Sequence, residues 1–273
     1  MNNIIQSNFM QGFINLCDKA YKKGWHERNG GNASYRIKPE EIAEVRDSLR
    51  PAEDPRPIGL SLPNIADEYF LVTGGMKFFM NIKAKPRDNI CIIKIGGGGE
   101  NYSLVWGLES GGAPTSELPT HLLNHSVKKE ATGGAHRVIM HSHPANIIAL
   151  TFILPLDSKT FTREIWETAN ECAVVFPAGI GVIPWMVPGG PEVALAGAEM
   201  IKKHDIVVWP HHGIFCSGED FDLTFGLTDT VEKTAEILIK VLSCGGKRQK
   251  IEAEGIRSLA RTFNLDIDFS IFE

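Results

Sequence analysis

Long runs of lysine and arginine are missing from this 273-residue sequence, whose formal net charge is −5. Nucleic acid and anionic membrane surfaces are held by clustered positive charge, so this balance argues against both as partners. A small anion remains possible, because a few local groups suffice to hold one. No apolar stretch reaches the roughly 20 residues that cross a bilayer. The longest, around Ile147 to Leu156, is broken by Thr151 and Pro155. The opening segment MNNIIQSNFM has neither the basic region nor the apolar core of a secretion signal. The five cysteines, Cys17, Cys91, Cys172, Cys216 and Cys244, are odd in number, widely spaced and form no CxxC. A disulfide framework is therefore not expected, and a cytoplasmic location with the thiols as small buried hydrophobes is. Internal repeats, low-complexity segments, a clear linker and a GxxxxGK[ST] phosphate loop are all absent.

What is present is an ordinary globular composition, 43% hydrophobic and 22% charged. A chain of this length buries roughly three quarters of its unfolded surface. It needs no metal simply to fold, so a bound metal would serve chemistry.

Apolar spacing predicts a first helix with Ile5, Phe9, Phe13 and Cys17 on one face, stopped near Gly24. A tight loop at Arg28 to Asn32 then enters a strand at Ser34 to Ile37. Residues 39–65 read as a Pro-rich, charged excursion with at most one short helix. Strand patterns follow at Tyr69 to Val72, and at Cys91 to Ile95 and Ser103 to Trp106, the last two joined as a hairpin by Gly96 to Gly99. Helices are expected at Ser116 to Lys129, after Pro144, at Thr160 to Asn170, from Pro191 to Lys203, at Asp229 to Ser243 and around Ile256 to Phe263. Strands are expected at Arg137 to His143, Ala173 to Phe176, near Val182 and at Ile206 to Trp209, with His212 to Cys216 as its continuation. Interleaved strands and helices, some strands paired as hairpins, point to an α/β protein with a mixed sheet flanked by helices, in one domain spanning residues 1–273.

The strongest chemical signal is His141-Ser142-His143. Residues two apart on a strand share a face, so both imidazoles can project side by side, as a three-ligand zinc site requires. A third ligand is available at Pro210-His211-His212-Gly213, and spacing leaves open which histidine supplies it. His121 and His125 stand four apart on a predicted helix, but HLLNH lacks the glutamate of HExxH, and packing or surface histidines are the reading preferred there. His26, His136 and His204 stand alone. Glu117 opens a helix beside Thr115 and Ser116, where free N–H groups and two hydroxyls make an anion site. Asn29-Gly30-Gly31-Asn32 and Thr73-Gly74-Gly75 can bring backbone N–H groups to a phosphate. Lys77 and Lys94 are available for a Schiff-base alternative, and nothing in the sequence marks either as activated.

Together these segments resemble the class II aldolase and adducin family. The resemblance rests on Gly24 to Asn32 (GWHERNGGN), Pro114 to Pro119 (PTSELP), Arg137 to His143 (RVIMHSH), Phe176-Pro177, Pro184 to Gly189 (PWMVPG), Trp209 to Gly213 (WPHHG) and Thr224 to Leu227 (TFGL). It covers most of the chain and is weakest in residues 39–65 and at the C-terminus. It implies an α/β/α layered fold with a central mixed, largely antiparallel sheet, and a homotetramer with sites near subunit interfaces. The activity implied is metal-dependent aldol cleavage of a small phosphorylated ketose. By resemblance His141, His143 and His212 are the zinc ligands, one Zn2+ per subunit, and His211 drops out. Glu117 becomes the catalytic acid/base. Glu171 becomes a second acid/base reaching a neighbouring subunit's site. Asn29, Gly31, Asn32, Gly75, Thr115 and Ser116 become the phosphate-binding positions. At position 75 the family pattern expects a serine hydroxyl, so Gly75 is left with its backbone N–H alone.

Overall fold

The computed structural model describes residues 4–273, so Met1 to Asn3, the start of the segment tested for a secretion signal, lie outside the described residues. One nine-stranded sheet runs through the chain. Its strands are β1 (Asn32–Arg36), β2 (Arg56–Pro57), β3 (Tyr69–Thr73), β4 (Ile90–Ile95), β5 (Asn101–Gly107), β6 (Val138–Ser142), β7 (Ile180–Val182), β8 (Ile206–Trp209) and β9 (Gly213–Gly218). They lie in the order β2-β5-β4-β3-β1-β6-β9-β8-β7. Only β7 and β8 run parallel. The expected mixed, largely antiparallel sheet is therefore present.

Helices cover both faces: α1 (Asn8–Lys22), α2 (Pro39–Val45), the single turns α3 (Phe79–Ile82) and α4 (Pro86–Asn89), α5 (Leu118–Ala131), α6 (Ala145–Leu150), α7 (Ser158–Trp166), α8 (Asn170–Val175), α9 (Pro191–Ile201), α10 (Phe221–Ser243) and α11 (Ala253–Phe263). Alternation along β6 divides the core. Val138 and Met140 pack with the apolar face of α1, while Ile139 packs with Val127 of α5 and Val193 and Ile201 of α9. His141 falls on the α5 and α9 side. Among the described residues no helix is long and apolar enough to cross a membrane. Cys17, Cys91, Cys172 and Cys216 are buried free thiols, as expected, but Cys244 is exposed.

The end of α1 has a direct bearing on the site. Gly24 adopts φ +79°, which a side chain would resist. Its N–H reaches the Tyr21 carbonyl at 2.9 Å and the Trp25 N–H reaches the Ala20 carbonyl at 3.2 Å, the paired bonds of a Schellman stop. Trp25 is thereby folded back into the core, and its carbonyl accepts the His143 N–H at 2.8 Å.

Four expectations need correction. Ala173 to Phe176 lies in α8 and its C-cap, not in a strand. A short apolar run suits either element, and burial of Cys172, Ala173 and Phe176 follows helical spacing. His212 to Cys216 does not continue β8. His211 takes φ +61°, the chain reverses, and β9 pairs antiparallel with β8. The helix expected over Thr160 to Asn170 ends at Trp166, and α8 starts at Asn170. Helix α10 begins at Phe221, eight residues before the expected Asp229, because the Asp220 carboxylate caps it by accepting from Leu223 N–H at 2.7 Å. Replacing the fully buried Phe176 by alanine is expected to cost ~3–5 kcal/mol, read as a lower urea midpoint at unchanged m-value.

Candidate active site

Three strands and two turns bring the site together. Asn32 on β1, His141 on β6 and Phe215 on β9 are directly paired neighbours across the sheet. The His141 ring stacks on Phe215 with centroids 4.4 Å apart and planes 12° apart. His143 lies just past β6. His212 lies in the β8–β9 turn, whose tightness settles which histidine of the pair turns inward. His211 points away, its ring against Phe152 and its Nδ1 3.0 Å from the Thr151 hydroxyl. Gly213 closes this turn against the ligands. A methyl group there would meet the Ser142 carbonyl oxygen and come within 2.8 Å of the His143 ring.

The Nε2 atoms of His141 and His212 are 3.2 Å apart, as are those of His143 and His141. All three ligand atoms lie within 4.8 Å of one another. Tetrahedral zinc with arms of 2.0–2.1 Å would set neighbouring nitrogens about 3.3 Å apart. The outer nitrogens fix the tautomers. His141 Nδ1 donates to the Ile214 carbonyl at 3.0 Å, and His143 Nδ1 donates to the Glu27 carboxylate at 2.8 Å. Each can therefore aim its Nε2 lone pair at the point where a cation would sit. Burial, then the neighbouring His143, hold His141 well below the usual imidazole range and His212 down to about 4, so both are neutral donors at pH 7. The donor set fits a divalent metal. Glu27 was visible in the sequence only as part of a motif. Its partnership with His143 spans 116 residues, which no local pattern encodes.

A cavity of about 720 Å³ opens onto these nitrogens. Asn29, Gly31, Asn32, Gly75, Thr115, Ser116, Glu117 and the three histidines all line it. Glu117 Oε2 accepts from the Asn32 side-chain amide at 2.7 Å and lies 3.7 Å from His141 Nε2. Burial raises the Glu117 carboxyl above its ordinary range, and the Asn32 bond opposes that rise. Glu171 does not join this cavity; it is exposed in the first turn of α8.

The anion-binding candidates are unequal. The Gly75 N–H is already donated to the Ala113 carbonyl at 2.8 Å, so this position offers neither a hydroxyl nor a free N–H. The Asn32 amide is occupied at both ends, by Glu117 and by His121. The Thr115 and Ser116 hydroxyls and the Asn29 amide remain on the cavity wall. Lys77, in the sequence a Schiff-base candidate, also lines the cavity, and among the described residues lining it no other lysine or arginine occurs. Its stem crosses Gly74 and Gly112, where a Cβ would come within 2.8 and 3.8 Å of it, and its ammonium donates to Ser110 Oγ at 3.2 Å.

A mixed sheet between helices with a three-histidine, one-glutamate cavity fits a metal-dependent aldolase, and residues 11–239 match the model of the class II aldolase and adducin N-terminal domain. The chain belongs to that family. It is 47% identical over 267 residues to a rhamnulose-1-phosphate aldolase of Mannheimia succiniciproducens, covering 97% of each chain. It is 46% identical over 265 residues to the rhamnulose-1-phosphate aldolase of Escherichia coli O157:H7, again covering 97% of each. Among solved structures, a sugar-phosphate aldolase from Thermotoga maritima superposes with TM-score 0.73 at 28% identity, covering 86% of this chain and 95% of that one. An L-fuculose 1-phosphate aldolase shares the fold, with TM-score 0.61 at 19% identity over 95% of this chain and 98% of its own.

Proposed function

We propose that this protein is a zinc-dependent aldolase that reversibly cleaves L-rhamnulose 1-phosphate to dihydroxyacetone phosphate and L-lactaldehyde, with one Zn2+ per subunit of a homotetramer. The observation that carries the chemistry is the convergence of His141, His143, His212 and Glu117 on one cavity. The choice of sugar is supported by near-full-length likeness to enzymes of that name.

His141, His143 and His212 would hold the cation, which supplies Lewis-acid stabilisation of the oxygen charge that develops as the carbon–carbon bond breaks, worth several kcal/mol. Glu117 delivers a proton to the carbon that keeps the bonding electron pair, and removes it in the synthetic direction. Its raised pKa suits a group that must both hold and release a proton. Glu171, exposed on α8, is the candidate base for the hydroxyl of the departing half, acting in a neighbouring subunit's site.

Asn29, Thr115 and Ser116 hold the phosphate through neutral donors, and Lys77 supplies the positive charge. Lys77→Met is expected to raise KM by roughly tenfold to a hundredfold with kcat little changed, since a charge-assisted hydrogen bond is worth about 1.5–3 kcal/mol. Unchanged KM would remove Lys77 from the phosphate site.

Release of dihydroxyacetone phosphate in a coupled assay, compared across rhamnulose, fuculose and ribulose phosphates, tests the reading. Strong preference for the rhamnulose ester is expected. Preference for another ester would reassign the substrate, and realignment of the sugar without release of the triose would make the reaction an epimerisation.

A further inference from the structure

Helix α5 carries Glu117 as its N-cap, then His121 and His125 four and eight residues on. Such residues share one helix face at intervals of about 6 Å. Strand β1 runs beside this face and presents Asn32 and Ser34, two residues apart and about 6.6 Å along the strand. The two spacings nearly match, so the side chains interleave in the order Glu117, Asn32, His121, Ser34, His125. Every consecutive pair is hydrogen bonded. Glu117 Oε2 meets Asn32 Nδ2 at 2.7 Å, Asn32 Oδ1 meets His121 Nε2, His121 Nδ1 meets Ser34 Oγ at 2.6 Å, and Ser34 Oγ meets His125 Nε2 at 2.8 Å. Apart from Glu117, every member is at least nine-tenths buried.

Proton bookkeeping leaves one arrangement for neutral imidazoles. The carboxylate accepts, so the Asn32 NH2 faces it and the Asn32 carbonyl faces His121. A carbonyl only accepts, so His121 carries its proton on Nε2 and leaves Nδ1 bare. The Ser34 hydroxyl then donates to that Nδ1 and accepts from His125 Nε2–H. His125 Nδ1 is left bare, and it is a buried atom without a hydrogen-bond partner. Burial holds His121 down to about 3 and His125 well below the usual imidazole range, so neither takes a second proton near neutral pH. All donors therefore point toward Glu117. A flipped Asn32 amide would set its oxygen against the carboxylate and its NH2 against the His121 N–H, two repulsive contacts in a buried site.

We infer that His121 is a positioning residue for the aldol cleavage: by donating to Asn32 Oδ1 it fixes the amide end that holds Glu117 Oε2 and so aims the carboxyl at the substrate. This rests on the reading of Glu117 as the group that transfers the proton. A buried polar chain that only filled space could be replaced by apolar side chains of similar shape at little cost. One that orients Glu117 could not.

The test is a double-mutant cycle on the metal-loaded enzyme, with steady-state kinetics on the sugar phosphate. His121→Leu is expected to lower kcat by about tenfold, the rate equivalent of one buried hydrogen bond, with KM within about twofold and metal content unchanged. His121→Gln retains an N–H that can reach Asn32 Oδ1, and is expected to restore most of the loss. His121→Leu combined with Asn32→Ala should be no slower than Asn32→Ala alone, because His121 acts through Asn32. Should His121→Leu fail to fold, Ser34→Ala removes the O–H that keeps His121 Nδ1 an acceptor. It is expected to lower kcat by about threefold, and only while Asn32 is present. Wild-type kcat in His121→Leu or Ser34→Ala, or losses that simply multiply in the cycle, would overturn the inference. Glu117→Gln run alongside separates the two claims. If that variant stays active, the role of Glu117 is wrong; if it is inactive while His121→Leu is normal, only the positioning role fails.

Discussion

Glu117→Gln is expected to lower kcat by roughly a hundred- to ten-thousand-fold, the contribution of a positioned proton-transfer group. The substitution is nearly isosteric, and the Asn32 amide can still donate to the glutamine side-chain oxygen, so the cavity should keep its shape. The three imidazoles are untouched, and the metal should remain bound. The expected pattern is therefore loss of turnover, KM within a few-fold of wild type, and full metal occupancy by elemental analysis. Because the proton on carbon is the one at issue, exchange of the hydroxymethyl hydrogens of dihydroxyacetone phosphate with solvent deuterium should fall in parallel. Near-normal exchange in the variant would assign that proton to another group.

Loss of metal is expected to have an effect at least as large. His141→Ala removes the most deeply buried ligand of the three, a ring 1% exposed that also stacks on Phe215 and bonds the Ile214 carbonyl. Two imidazoles cannot complete a three-ligand site, so metal should be lost on dialysis against mild chelators that leave the wild type loaded. Glu27→Ala grades the same argument. It deletes only the acceptor behind His143, and metal affinity should weaken by roughly 10–100-fold with the site still able to refill. The ordering of the two variants in a chelator titration is the readout. Equal retention of metal in His141→Ala and wild type would refute the three-imidazole site, and activity that survives full metal removal would turn attention to Lys77 as a Schiff-base lysine.

Much of this site was legible in the sequence because its parts sit on local patterns. His141 and His143 are two apart at the end of an apolar strand, and Pro114 to Glu117 lie at the start of a helix with Thr115 and Ser116 beside Glu117. The helix α1 and its Gly24 stop were equally plain, since seven buried apolar residues repeat on one face. What was not legible depends on partners far along the chain or on backbone geometry of one or two residues. The occupied N–H of Gly75 depends on where Ala113 comes to lie, and the union of Asn32 with His121 joins residues 89 apart. Helical spacing alone assigns His121 and His125 to packing or the surface. They are packed, yet as a polar chain, which helical spacing alone does not reveal. Strand β2 has two residues and makes the sheet edge beside β5, too short to show any periodicity within the 39–65 excursion. The α8 segment failed for the opposite reason: Cys-Ala-Val-Val-Phe satisfies strand and helix patterns equally until its neighbours decide.

The crowding behind Gly213 bears on attempts to change what this catalyst accepts. A single added carbon at that turn would push on the rings of both His141 and His143, so a library that randomises position 213 would mostly return proteins emptied of metal. Residue 76 is more forgiving of side-chain size. Met76 is 73% exposed and touches the site through its sulfur 3.7 Å from the Asn29 amide, although its φ of +59° disfavours β-branched replacements. Directed evolution toward other aldehydes has more freedom at residue 76 than anywhere along the histidine turn.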